Sequence, residues 1–334
     1  FILSIFCYSY VYLKFYETKN YQNNNYNHLF LTMAKVSILM NCYNGESFLK
    51  ESIDSVFAQS YDDWEIIFWD NQSTDSSAEI IHQYNDKRIK YFYAPKHTSL
   101  YEGRSNALKY CNGKYLAFLD CDDLWLPNKL QKQVKIFEKN KKIVLVHSNT
   151  IFFNSDTKKE KILNTKKRKS GYLFEENMMT YQFSLETVMV RRSTITDNAI
   201  DFGDFNMIGD RDFLSTVCFY GDVYYIDEIL GKWRIHADNF SKVLHFGYPK
   251  ELKQMYLRFK NKFGEKFTKQ MRIELYTEIV LREALNSFLY SGTEVRNKLK
   301  KIYCFDPKAI ILRLISYLPT SIALKVLNLG KKSK

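Results

Sequence analysis

The chain has 334 residues, is 46% hydrophobic and carries a formal net charge of +12. This allows one large or two modest domains with a sizeable core. The charge bears on partners rather than on fold. No RNP-type motif, zinc finger or helix-turn-helix accompanies the basic excess, so nucleic acid is the weaker inference for a partner. An anionic membrane surface fits the lysines better, at about 1 kcal/mol per basic residue near lipid; lysines that merely keep an aromatic-rich protein soluble are the competing reading. The six cysteines form no CxxC pair and have no metal-type spacing, which points to buried free thiols in a reducing compartment.

Residues Phe1–Tyr16 are apolar but too short to span a bilayer, and they lack the basic start and cleavage site of a signal peptide. Met33 stands directly before the first convincing strand. Met33 is therefore the expected natural start, with residues 1–33 an extension outside the fold. Lys35–Met40 reads as a strand, and Asn41–Gly45 as a turn. Ser47–Gln59 reads as a helix, with Phe48, Leu49, Ile53, Val56 and Phe57 at helical spacing. Trp64–Trp69 is the second strand. Ser76 and Glu79 form a capping-box pattern for a helix reaching about Tyr84. Ile89–Tyr93 is a third strand, and a helix through Tyr110 ends at Asn112-Gly113.

Tyr115–Leu119 is a fourth strand, ending in Asp120, Asp122 and Asp123. Leu126–Asn140 follows as a basic helix with Pro127 just inside its start. Ile143–His147 and Glu186–Arg191 read as strands, with a charged loop or hairpin over Asn154–Ser170. Phe213–Tyr220 is helical, and Val223–Ile226 and Ile229–Ile235 read as two more strands. Residues from Glu251 to about Lys301 are helical. After Pro307, the residues Ile310, Ile311, Leu314, Ile315 and Leu318 line one helical face, and the chain ends in lysines. Strand–helix alternation predicts an α/β fold: a doubly wound, mostly parallel sheet with helices on both faces and a helical C-terminal extension.

The Asp120–Asp123 cluster admits two readings. Carboxylates so close together repel and call for a cation, and Mg²⁺ sites commonly combine one or two carboxylates with substrate phosphates. The plain alternative is a solvated acidic turn capping the next helix. Polar groups end three strands: Tyr43-Asn44, Asp70 and Asp120–Asp123. In a parallel sheet these lie along one ligand-binding edge. No GxGxxG follows the first strand and no P-loop is present, so dinucleotide oxidoreductase and P-loop NTPase readings lose ground.

The segments Val36–Glu46, Ile53–Tyr61, Trp64–Asp75 and Phe118–Pro127, in this order, resemble the family 2 glycosyltransferases of GT-A fold. The likeness runs from residue 35 to about 242. It implies inverting transfer of a sugar from a nucleotide diphosphate donor, a uridine one in particular, with a divalent cation, Mn²⁺ or Mg²⁺. The resemblance makes Asp70 the base-contacting aspartate, and Tyr43 and Asn44 the lining of the nucleotide pocket, with Glu46 beside them. Arg104 then faces phosphate or base oxygens. Asp120-Cys121-Asp122 corresponds to the DxD motif. Asp122 is the implied metal ligand and Asp120 orients ribose or a metal-bound water, with Asp123 able to replace either. Asp210 corresponds to the general base and Asp212 is its alternate; Gly209 stands where the family often has Glu. Residues two apart on a helix point about 200° apart, so only one of the two aspartates can face a cleft. The segment Trp233–Ser241 resembles the family's Arg-x-His motif, which makes His236 a third metal-shell residue and Arg234 a second cation near the phosphates.

The expected organisation is a catalytic domain over residues 34–245 and a helical region with a basic amphipathic tail over 246–334. The expected partners are the sugar donor and a glycan or lipid-linked acceptor in surface polysaccharide or glycolipid synthesis. Contact with the inner face of the cytoplasmic membrane through the tail and a homo-oligomer are expected too. The rivals are a catalytically silent nucleotide-sugar binder of the same fold, a nucleic-acid-binding protein and a sugar nucleotidyltransferase.

Overall fold

The structure, a computed structural model, describes residues 34–237, 239, 247–288, 291–301, 307–323 and 326–327. The expected extension 1–33, Cys7, Cys304, Ser241, the 245/246 boundary and the terminal lysines 331–334 lie outside the described residues. The strands are β1 (Val36–Cys42), β2 (Trp64–Asp70), β3 (Ile89–Tyr93), β4 (Tyr115–Phe118), β5 (Leu124–Trp125), β6 (Ile143–Asn154), β7 (Glu160–Ile162), β8 (Met189–Arg191) and β9 (Asp222–Ile235). The helices are α1 (Leu49–Phe57), α2 (Ser77–His82), α3 (Leu100–Leu108), α4 (Lys129–Lys139), α5 (Phe174–Met179), α6 (Arg192–Asp197), α7 (Gly209–Cys218), α8 (Tyr248–Phe263), α9 (Lys269–Ser287), α10 (Gly292–Leu299) and α11 (Pro307–Ile315).

All described strands join one sheet in the order β3-β2-β1-β4-β8-β6-β9-β5, with β7 on β6. The first four are parallel, β8 is antiparallel to both its neighbours, and β6 and β9 are parallel again. Every residue of β1, β2 and β4 is buried, as expected for strands covered on both faces. Their period of two sends alternate residues to two cores. Val36, Ile38, Met40, Ile66 and Phe68 pack with Leu49, Ile53 and Val56 of α1 and with Leu130, Val134 and Phe137 of α4. Leu39, Ile67, Trp69, Leu116 and Phe118 belong to the opposite core with α3 and α7, and Leu252, Met255 and Phe259 of α8 and Met271 and Leu275 of α9 join it. The C-terminal helices thus extend the sheet's own core.

Four sequence expectations are corrected. The helix expected from Leu126 starts at Lys129 instead. Leu124 and Trp125 pair with β9 and the Leu126 N–H donates to the Leu230 carbonyl, so Pro127 precedes the helix. The Ser76–Glu79 capping box does not form. Glu46 Oε2 takes the Ser76 N–H (2.9 Å) and Asp75 Oδ1 takes the Ser77 N–H (3.0 Å). Residues 185–187 make a 3-10 turn, leaving only Met189–Arg191 as strand. The two strands expected over 223–235 are one, and Asp227 and Glu228 bulge where Ser148 pairs with Ile226 and Asn149 with Ile229.

Candidate active site

The carboxyl ends of β1, β2 and β4 open onto a cleft of about 1100 Å³. The loop after β1 is tied to the loop after β2. Asn44 adopts a left-handed backbone (φ 53°), tolerated by its short polar side chain. Its N–H donates to Ser73 Oγ (3.0 Å) and its Oδ1 accepts the Thr74 N–H (2.8 Å). Tyr43, half exposed, packs against His97 with ring centroids 4.3 Å apart and planes tilted by 55°, and both line the cleft. Buried Asn71 holds the wall carrying His97. Its Nδ2 donates to the Thr98 carbonyl (2.8 Å), and its own carbonyl lies 2.9 Å from His97 Nδ1.

Asp120 and Asp122 face the cleft from the β4 turn, and Cys121 lines it between them. Ser52 Oγ on α1 anchors that turn by donating to the Cys121 and Asp123 carbonyls (2.9 and 2.6 Å). Arg104 on α3, only 3% exposed, donates from Nη2 to Asp120 Oδ1 at 2.5 Å. Burial opposes the Arg104 charge, and the Asp120 carboxylate outweighs it. Asp122 Oδ2 lies 2.9 Å from His236 Nε2 and accepts from Asn239 Nδ2 (3.3 Å). Burial and then the Asp120 charge push the Asp122 carboxyl up, against the pull of His236. Among the described residues no three carboxylate, imidazole or thiol groups converge into a preformed cage. Two cleft-facing carboxylates do fit a Mg²⁺ or Mn²⁺ ion that takes its other oxygens from a diphosphate and water.

Three expected site residues point elsewhere. Asp70 is fully buried and outside the cleft lining; its oxygens take the Ser73 N–H and the Tyr91 hydroxyl, both at 2.7 Å. It forms the Asx turn at the end of β2. Glu46 caps α2. Arg234, 3% exposed, lies behind the acidic turn. Its Nε donates to the Asp122 carbonyl (2.8 Å) and its Nη2 pairs with Glu51 (2.7 Å), between the rings of Phe48 and Phe153. Asp123 is buried as well, accepting the Arg234 N–H (2.9 Å), so it does not stand in for its neighbours at the cleft.

The helix-start aspartates part as expected for residues two apart. Asp210, half buried at the start of α7, accepts from the Tyr101 hydroxyl (3.1 Å), the Tyr181 hydroxyl (3.2 Å) and the Arg211 N–H (2.8 Å). It does not itself line the cleft; Asn206 and Met207 just before it do. Asp212 is fully buried, 3.1 Å from Arg258 of α8, and burial pushes its carboxyl up to about 7. It faces the helical interior, away from the cleft. Gly209 explains how Tyr101 reaches Asp210: a β-carbon there would stand 2.6 Å from ring atom Cδ1. Sequence reasoning missed Glu251 on α8. Its buried carboxylate accepts the N–H groups of Asn206 (2.9 Å), Met207 (2.9 Å) and Ile208 (3.3 Å), fixing the lead into α7. It also missed His97, Asn71, Tyr101 and Tyr181. No local motif marks them, because each acts across a fold contact.

The profile described as Glycosyl transferase family 2 matches residues 37–198. An uncharacterized glycosyltransferase of Methanocaldococcus jannaschii is 32% identical over 217 residues, covering 61% of this chain and 72% of that protein. An uncharacterized glycosyltransferase of Haemophilus influenzae is 36% identical over 49% of this chain and 65% of its own length. The Escherichia coli UDP-Glc:alpha-D-GlcNAc-diphosphoundecaprenol beta-1,3-glucosyltransferase WfgD is 36% identical over 36% of this chain and 48% of its own. The chain thus spans less than two thirds of either of these last two proteins. Among solved structures, S. aureus TarS in complex with UDP-GlcNAc aligns with TM-score 0.61 at 17% identity, over 85% of this chain and 82% of that one. The mannosyltransferase PcManGT from Pyrobaculum calidifontis, in complex with GDP-Man and Mn²⁺, aligns with TM-score 0.55 at 14% identity, over 89% and 79%. At these identities the likeness is one of fold.

Proposed function

The chain belongs to glycosyl transferase family 2, with a GT-A-like fold, and from that premise we propose that it transfers a sugar from a nucleoside diphosphate donor, a UDP-sugar, with inversion. The observation that carries this reading is the pairing of Asp120 and Asp122 at the floor of a cleft large enough for such a donor, with buried Arg104 fixing one of them. Asp122, with Asp120 beside it, would hold the Mn²⁺ or Mg²⁺ ion, and His236 orients Asp122. When bound, the cation supplies charge stabilisation to the departing diphosphate. Tyr43 and His97 offer a stacking wall for the base, and Asn44 shapes the loop beside it. Asp70 and Glu46 serve by fixing the nucleotide-side loops, and Arg234 by backing the acidic turn.

Asp210 is the general base in this reading. The Tyr101 and Tyr181 hydroxyls orient its carboxylate, and the acceptor hydroxyl takes the place of one of them before giving up its proton. Asp212 is set aside by its packing against Arg258. The acceptor class is a glycan or lipid-linked sugar of surface polysaccharide or glycolipid synthesis; the E. coli relative is named for a diphosphoundecaprenol-linked acceptor.

Among the described residues no helix is long and apolar enough to cross a membrane. α11 has two apolar faces. Ala309 and Leu312 pack inward, while Ile310, Ile311 and Leu314, with Tyr317 and Leu318 beyond, stay exposed. That outward stripe, within a basic stretch of chain, supports docking on the anionic inner face of the cytoplasmic membrane; a homo-oligomer covering the same stripe is the competing use. In this reading residues 34–245 are the catalytic domain, α8 and α9 complete its core and its cleft wall, and α11 is the docking face. A turnover panel of nucleotide sugars with and without Mn²⁺ tests the reading. Release of a nucleoside diphosphate from one donor, lost in Asp210→Asn, is expected; no turnover and no thermal shift with any donor would overturn it.

A further inference from the structure

Cys42 ends β1, and Cys121 sits between Asp120 and Asp122. β1 and β4 pair in parallel with a constant offset, Val36 opposite Tyr115 and Leu39 opposite Phe118. Continued three residues past the end of β4, into the turn, that offset sets Cys42 opposite Cys121. The Leu119 N–H still donates to the Leu39 carbonyl (3.1 Å) as the chains leave the sheet. Paired residues on neighbouring strands project to the same face, and the strands lie about 4.8 Å apart. A disulfide needs a Cα separation of about 4.4–6.8 Å.

A β-carbon on Gly45 would stand 2.9 Å from each sulfur, so both sulfurs border the space that its missing side chain leaves. Their access to solvent differs. Cys42 is fully buried, whereas Cys121 is partly exposed and lines the cleft. Cys111 and Cys218 are buried elsewhere.

We infer that Cys42 and Cys121 form an oxidative modification site, a thiol pair that closes to a disulfide under peroxide and reopens under a thiol reductant. The Cys121 sulfur attacks a peroxide oxygen, the O–O bond breaks, and Cys121 sulfenic acid and water result. The Cys42 sulfur then attacks the Cys121 sulfur. The S–S bond forms as the S–O bond breaks, and hydroxide leaves with the Cys42 proton as a second water. One peroxide is reduced to two waters, and two thiols are oxidised to one disulfide. The bond pulls the backbone between Asp120 and Asp122 toward β1. Resting on the donor-site reading above, this shift weakens UDP–Mn²⁺ binding by about 10–100-fold, the usual effect of disturbing groups that orient metal ligands.

The test exposes the full chain to hydrogen peroxide, blocks remaining thiols with N-ethylmaleimide and maps peptides by mass spectrometry. A dominant Cys42–Cys121 cross-linked peptide that disappears with dithiothreitol is expected. In Cys42→Ser, dimedone should instead trap Cys121 as the sulfenic acid. Wild-type Cys121 found as sulfinic or sulfonic acid without the cross-link would overturn the inference. So would both thiols remaining fully alkylatable at doses that oxidise exposed methionine. A cross-link formed in a protein that never binds UDP would leave the modification site standing and remove the donor reading.

Discussion

Gly209→Ala tests how α7 is seated, and its sign should depend on Tyr101. The added methyl would lie 2.6 Å from ring atom Cδ1 and 2.9 Å from Cδ2 of a side chain only 5% exposed. The ring has little freedom to yield, because its hydroxyl donates to Asp210 and to the Met207 carbonyl. Overpacking of this kind costs about 1–3 kcal/mol. Replacing glycine gains at most about 0.5–1 kcal/mol, the helix-interior value, because Gly209 is the first residue of α7. The net expectation is a loss of about 0.5–2 kcal/mol in the wild-type background. In a Tyr101→Ala background the collision is gone, and the same substitution should stabilise by up to about 1 kcal/mol. Urea unfolding of the four proteins reads both numbers and their coupling. Equal effects in the two backgrounds, or stabilisation in the wild type, would refute the packing described for Tyr101 and Gly209.

Glu251→Gln keeps the shape but removes the charge that serves three N–H groups, and should cost about 1–3 kcal/mol in urea unfolding. If Glu251 positions the Asp210 segment, turnover should fall while the KM for donor stays constant. His147, buried between Phe183 and Tyr225, has its imidazole pushed down to about 3 by burial. The unfolded chain takes up that proton first, so stability is complete above pH 6.5, the ordinary value for this group, and falls as pH drops toward about 3. At pH 5 the loss is about 2 kcal/mol, and a pH series of melts on His147→Phe should lack that slope relative to wild type. Ile311→Glu with Leu314→Glu should abolish co-sedimentation with anionic vesicles while leaving the melting temperature within about 2 °C, since both residues are exposed; undiminished pelleting would remove α11 as the docking face.

The parallel half of the sheet was legible because β1, β2 and β4 are apolar runs too continuous for anything but doubly covered strands. Their ends point to one sheet edge, and Asp120, Asp122, Arg104, His236, Tyr43 and Asn44 line a single cleft there. What stayed hidden was set by partners distant in sequence. Asp212 turns inward because Arg258 waits on α8. Arg234 is held behind the site by Glu51 and two rings. The α2 cap passed from Ser76 to Glu46 and Asp75 because the β1 and β2 loops interlock. β9 read as two strands because Asp227 and Glu228 break its pattern at a bulge that only the pairing with β6 reveals.

The most direct test of the central claim is calorimetric titration of UDP into wild type and Asp122→Asn, with and without Mn²⁺. Mn²⁺ should tighten UDP binding to the wild type by about tenfold or more and have no effect on the variant. UDP binding that is indifferent to Mn²⁺ in the wild type, or equally strengthened by it in Asp122→Asn, would contradict the assignment of Asp122 as the residue that holds the cation against the donor diphosphate.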